Sequence, residues 1–163
     1  KGYWKDVGTI DSLWDANMDL LDPAESGFDL YDPDWTIYAR TPIRPPQYAG
    51  EKAAIKHSIT TSGDEIYGKV ENSVLFHSVT VEEGATVRYS ILMPGAVVKK
   101  GAVVEYAIVA ERATIGEKAH VGGKKTDRED WGIAVVAQDL TVGDGATVEP
   151  AAMVTRNIKG VKA

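Results

Sequence analysis

The 163-residue sequence contains no cysteine. A disulfide scaffold and a thiolate metal site are therefore excluded, and a reducing cytoplasm is the expected compartment. It also lacks any apolar run near the ~18 residues that would cross a membrane, so no membrane partner is expected. Positive charge is in deficit: 18 Lys and Arg face 24 Asp and Glu, for a net charge of −6. That balance excludes a general nucleic-acid binder but leaves room for a small basic pocket that holds phosphate. The opening Lys1-Gly2-Tyr3-Trp4 has neither Met nor signal-peptide architecture, and reads as a sequence entered midway. What is present in quantity is apolar: 44% of residues are hydrophobic, enough for a real core.

Three segments follow different rules. Tyr3 to Gly8 reads as a short strand ending in a glycine turn. From Thr9 to Leu21 the spacing is helical, with Ile10, Leu13, Trp14, Met18 and Leu21 on one stripe. Thr9 is a suitable N-cap and Asp11 lies in the first turn. This strand–helix unit is too small to stand alone and needs a partner. Residues 22–50 hold Pro23, Pro33, Pro42, Pro45 and Pro46, a density that favours extended chain over helix.

From about Ile55 the dominant signal is repetition. Steps of six from Val79 give Val79, Ala85, Ile91, Val97, Val103, Val109, Ile115 and Val121, all aliphatic. Steps of six from Gly95 give Gly95, Gly101, Ala107, Ala113 and Ala119, all small. Neither a 3.6-residue helix nor a plain strand keeps a period of six on one face. A three-sided coil does, with one aliphatic residue turned inward per side and a small residue near each corner. Three hexads per turn would stack residues eighteen apart: Val79, Val97 and Ile115 in one column, Ala85, Val103 and Val121 in another, and Ile91 with Val109. The repeat breaks at the polar stretch Gly122–Gly132, an ejected loop. It then resumes through Val136, Val142, Val148 and Val154, with Ala146 and Ala152 at the small position. Ile55, Ile59, Ile66, Val70 and Val74 suggest earlier coils of undetermined register.

Coils of this type are used by hexapeptide acyltransferases and by sugar nucleotidyltransferases, which carry one as a C-terminal domain; a purely structural role is the third option. An acyltransferase needs a general base, and the candidates are His57, His77 and His120. His120 precedes an inward position and should point outward. No acidic partner stands at a fixed spacing from any of the three, and an isolated histidine is a weak signal.

The N-terminus favours the second class. The run Gly2-Tyr3-Trp4-Lys5-Asp6-Val7-Gly8-Thr9, continued through Leu21, resembles the end of the catalytic domain of bacterial glucose-1-phosphate adenylyltransferase (ADP-glucose pyrophosphorylase). The resemblance extends through Tyr31-Asp32-Pro33, Pro42-Ile43-Arg44-Pro45-Pro46, Glu71–Phe76 and Ile91–Ala96, in the expected order. It implies a mainly β fold: a left-handed parallel β-helix of hexapeptide repeats, preceded by a short strand–helix remnant of an α/β nucleotidyltransferase domain. The implied division is residues 1–22 for the end of the catalytic domain, 23–54 for an extended linker and 55–163 for a regulatory and oligomerisation domain.

The resemblance also implies an activity for the whole protein: ATP and α-D-glucose 1-phosphate give ADP-glucose and pyrophosphate, in glycogen biosynthesis. By the same resemblance Asp6 is a catalytic Mg²⁺ ligand, a role that suits a hard cation needing few carboxylates, and Trp4 shapes the sugar pocket. The glycine-rich nucleotide loop of the family is not found in this chain, so the fragment alone should not catalyse. The family is allosteric, and Arg112, in Glu111-Arg112-Ala113-Thr114-Ile115-Gly116, matches an effector-phosphate residue. Where the family often has Lys or Arg after the ejected loop, this chain has Gln138, which holds phosphate less well; Lys124, Lys125 and Arg128 are substitutes. Homotetramers are the expected assembly, with phosphorylated metabolites as effectors. A non-catalytic regulatory paralogue is a further alternative, against which the retained Asp6 stands.

Overall fold

The computed structural model describes residues 2–38, 42–127, 129 and 131–161. Among the described residues, seventeen short strands form three parallel sheets, of six, six and five strands, and the chain visits the sheets in rotation. The result is a three-sided β-solenoid of six coils. The strands hydrogen-bond from coil to coil, as buried parallel strands require, and the end coils carry the open edges.

Three continuous columns of aliphatic side chains fill the interior. They are Ile66–Val81–Val98–Ile115–Val142, Val70–Val87–Val104–Val121–Val148 and Leu75–Leu92–Val109–Val136–Val154. All are buried. Most of them follow by two residues a smaller buried residue, such as Ala85, Ala96, Ala102, Ala113 or Ala119. At roughly 1.5–3 kcal/mol per buried aliphatic side chain, these columns supply most of the stabilisation.

The central coils differ from the eighteen-residue expectation in one respect that changes every stack. Val97 pairs with Thr80 and Thr114, and Val98 with Val81 and Ile115, a repeat of seventeen. Val97 and Val103 consequently face outward and are half-buried. Ile91 also faces outward, while Leu92 fills the column with Val109. Gly95 and Gly101 are corner residues with φ of +72° and +69°, not inward small residues as Ala107, Ala113 and Ala119 are.

The missing residue is lost at one corner. Two corners of each central coil are hydrogen-bonded turns, such as Ala85 N–H to Glu82 O and Ala96 N–H to Met93 O. The third is made by a single left-handed residue: His57, Asn72, Tyr89 or Tyr106. A serine closes it. Ser73 and Ser90 each donate Oγ–H to the carbonyl two residues back, and accept the N–H of Ser90 and Ala107 in the next coil. Where this corner becomes an ordinary turn, Ala152 N–H to Glu149 O, the step returns to eighteen, Val136 to Val154. An earlier coil is shorter still, with Ile66 fifteen residues before Val81. These unequal coils are why the first repeats have no fixed register in the sequence. The solenoid starts at Tyr48–Ala49, earlier than the boundary at 55.

The N-terminal helix α1 (Ile10–Met18) begins with the expected cap: Thr9 and Ser12 bond each other's backbone N–H in a capping box. Its stripe of Ile10, Leu13, Trp14 and Met18 packs on Ile91 and Ile108, which project outward from the third sheet, and on Ile133 just ahead of the strand Ala134–Val136. The partner that this helix needs is thus the solenoid itself. The Tyr3–Gly8 stretch is not a strand; no strand among the described residues offers it a ladder. Side chains hold it instead, with Tyr3 Oη at 2.9 Å and Lys5 Nζ at 2.8 Å from Asp19 Oδ2. Pro23 does not prevent helix: it opens a one-turn α2 (Pro23–Ser26) from its first turn, where its missing N–H costs nothing.

Candidate functional site

In the N-terminal unit burial alternates. Tyr3 and Lys5 turn toward Asp19, and Trp4 and Asp6 turn out together. Desolvation alone would raise the Asp19 carboxyl, but the hydrogen bonds from Lys5 and Tyr3 outweigh it and hold it below its ordinary range. Trp4 is 84% exposed. Asp6 is exposed and makes no hydrogen bond or ion pair among the described residues. A divalent cation could take one ligand from this free carboxylate. No group of three or more His, Cys, Asp or Glu among the described residues could complete a cage. That donor set suits Mg²⁺ only if substrate phosphates, water and residues outside this chain supply the rest.

A second set of residues lies along another corner. Gly63, Ser78, Gly95, Arg112 and Asp139 all have positive φ and follow one another coil by coil. Arg112 lies against Gly95, where a Cβ would come within 3.4 Å of its Cγ. Its guanidinium forks onto Asp139, Nε to Oδ1 at 2.6 Å and Nη2 to Oδ2 at 2.9 Å, with Glu111 at 3.3 Å from Nη1. The hydrogen bond from Arg112 pulls the Asp139 carboxyl down and its own guanidinium up. Gln138 is exposed beside Asp139, so the structure brings the two effector candidates to one corner. Asp139 was not singled out by sequence. Twenty-seven residues separate the strand Thr114–Ile115 from its partner Thr141–Val142, ten more than a central coil, because the ejected loop intervenes.

The ejected loop leaves from the serine corner. Trp131 sets its edge against Tyr106 at 5.4 Å, and Tyr106 stacks on Tyr89 at 4.7 Å. Lys125 Nζ stands 5.8 Å from the Trp131 ring centre. Beneath the loop is a cavity of about 570 Å³, walled by Trp131 and Pro150, with Lys124 and Glu149 among its lining residues. Arg128 lies outside the described residues.

The three histidines do not converge. His57 sits at the serine corner between Asn72 and Asp22, and His77 at the Gly63–Asp139 corner beside Ser78. His120 faces outward from the second sheet between Val103 and Thr147, as its place before Val121 requires.

Residues 46–142 match the family described as GlmU-like, C-terminal hexapeptide. Among curated relatives, a protein of Clostridium perfringens (strain SM101 / Type A) named glucose-1-phosphate adenylyltransferase is 54% identical over 97 residues, covering 60% of this chain and 25% of the relative. Proteins of the same name from Bacillus anthracis (54% over 98 residues) and Bacillus mycoides (53% over 98 residues) match 60% of this chain and 26% of their own length. The matched region thus spans about a quarter of these relatives. A solenoid of parallel strands on three sides, with this match over more than half of the chain, belongs to the GlmU-like C-terminal hexapeptide family, and its relatives include glucose-1-phosphate adenylyltransferases.

Proposed function

We propose that this chain is the C-terminal regulatory and assembly portion of a glucose-1-phosphate adenylyltransferase. The observation that carries the proposal is the 54% identity to enzymes of that name, together with the Trp4-Lys5-Asp6-Val7-Gly8-Thr9 run held against the coil by α1. The whole protein would join ATP and glucose 1-phosphate into ADP-glucose and pyrophosphate. Asp6, with its free carboxylate, would be one ligand of a Mg²⁺ that neutralises charge on the reacting phosphates. Trp4, turned to the same side, would border the sugar. The isolated chain would have no turnover, because among the described residues it offers Asp6 as a metal ligand with no group of carboxylates or histidines to complete the site.

Arg112 and Gln138 are the effector residues in this reading, with a phosphorylated metabolite competing against Asp139 for the Arg112 fork. The coil would assemble the enzyme as a homotetramer. The cytoplasm is the expected compartment; among the described residues no helix is long and apolar enough to cross a membrane. The scattered histidines argue against the acyltransferase alternative, which needs one of them beside an acyl-carrier slot.

Pyrophosphate release by the full-length protein from ATP and glucose 1-phosphate tests the proposal. Asp6→Asn should lower the rate roughly a hundredfold, and the isolated chain should release none. Full activity in Asp6→Asn removes Asp6 from the reaction, and turnover by the isolated chain overturns the division of roles. Light scattering of the purified protein should give a tetramer; a strict monomer at high concentration contradicts the assembly role.

A further inference from the structure

His57 joins three parts of the chain at one point. Its backbone makes the single-residue corner, at φ +45°, and Asn72 makes the same corner one coil on, at φ +46°. Its ring fills the space between that corner and the N-terminal unit: Nδ1 lies 2.7 Å from Asn72 Oδ1, and Nε2 lies 3.0 Å from Asp22 Oδ1. Asp22 is the N-cap of α2, in the segment that carries α1 and, ahead of it, Trp4 and Asp6. Both ring nitrogens therefore face acceptors. An imidazolium can donate to both; a neutral ring has one N–H and can keep both contacts only if the Asn72 amide turns over.

We propose that His57 is a pH-sensitive clasp that, in its charged form, ties the N-terminal unit to the solenoid, and that loosens when the ring loses its proton. The charged group facing the ring from the N-terminal unit is Asp22; from the solenoid it is met by the neutral Asn72. The neighbouring Lys56 and Glu71 are occupied with each other at 3.1 Å. The ring's affinity for its proton is raised, first by the Asn72 contact and then by the hydrogen bond and charge of Asp22, against the opposing effect of burial. A raised folded value means that the clasp is complete below the ordinary value of 6.5 and is lost as pH rises through the folded one. The contact is partly exposed, with side chains 42% and 52% accessible, so its effect is a modest bias on docking.

The docked state has its own reporter, because Trp14 Nε1 donates to Tyr89 O at 2.8 Å across the same interface. In the whole chain, the protection factor of the Trp14 indole N–H, measured by NMR exchange from pH 5.5 to 8.5 alongside the His57 ring shifts, reads both events. Protection should fall about two- to fivefold as His57 titrates. Asp22→Asn, which keeps an acceptor but removes the charge, should lower the His57 midpoint and shrink that fall. His57→Asn, which tolerates the left-handed corner, should give protection independent of pH. Constant protection through the His57 titration in the wild type, or an unmoved His57 midpoint in Asp22→Asn, overturns the clasp.

Discussion

Ser90 Oγ accepts the backbone N–H of Ala107 at 3.2 Å, seventeen residues further along, while donating to Arg88 O at 2.7 Å. One hydroxyl thereby replaces the turn that the other corners use. Ser90→Ala leaves a buried N–H without a partner, which costs about 1–3 kcal/mol. Chemical denaturation should show that loss with an unchanged slope. A variant as stable as the wild type contradicts the role given to the serine corner.

The N-cap and the docked face of α1 act on the N-terminal unit and leave the solenoid alone. Thr9→Ala removes the capping box and should cost about 1 kcal/mol. Trp14→Ala removes a ring packed against the third-sheet isoleucines together with its bond to Tyr89 O, and should cost about 2–4 kcal/mol of docking. Limited proteolysis should cut both variants first within residues 2–38 while the coil survives. Cleavage that starts in the coil contradicts the arrangement.

The Lys5–Asp19–Tyr3 cluster sets a pH window for that unit. Asp19 is depressed below its ordinary 3.8, so its contribution is present above that value and lost as pH falls through the lower folded one. Lys5 is raised above 10.5, chiefly by its hydrogen bond to Asp19, and Tyr3 above 10.0, chiefly by desolvation. Their contributions are complete at neutral pH and are lost as pH climbs through their folded values. With the pair about a third exposed, the contribution is under about 1 kcal/mol. Exchange of the α1 amides, corrected for intrinsic rates, should quicken at both extremes, and Asp19→Asn should abolish the acid limb.

Asp139→Asn would free the Arg112 fork from its carboxylate. If that corner takes the phosphate of an effector, inorganic phosphate should bind the variant roughly threefold more tightly, and Arg112→Gln should remove the binding. Calorimetry with phosphate measures both. Equal affinity in all three proteins takes the effector role away from Arg112.

Much of this was legible in the sequence for a physical reason: an inward aliphatic residue on every short side leaves a period that no helix or flat strand produces. Thr9 as N-cap and the Ile10–Leu13–Trp14–Met18 stripe were readable because capping and burial act locally. The seventeen-residue coil was not. Ile91 is followed by Leu92, Val97 by Val98 and Val103 by Val104, so a register shifted by one at these three steps still finds an aliphatic residue. Ser73 and Ser90, like Tyr89 and Tyr106 beside them and Gly84 and Gly101, recur at seventeen and are the marks of the short coil. The Tyr3–Gly8 strand was misread because alternation along the chain does not show whether a neighbouring strand is there to pair with it. Asp139 and Asp22 were missed for another reason: their partners lie across a loop insertion or across the docked unit, separations that composition and period do not encode.

The most direct measurement compares the thermal unfolding of Val103→Asp and Val104→Asp. In a seventeen-residue coil Val104 is buried in the column with Val87 and Val121, and Val103 faces outward on the second sheet. An unpaired carboxylate at 104 should destabilise by about 3–5 kcal/mol or prevent folding, and one at 103 by about 1 kcal/mol or less. The reverse order, or equal losses, contradicts the register on which the rest of the account stands.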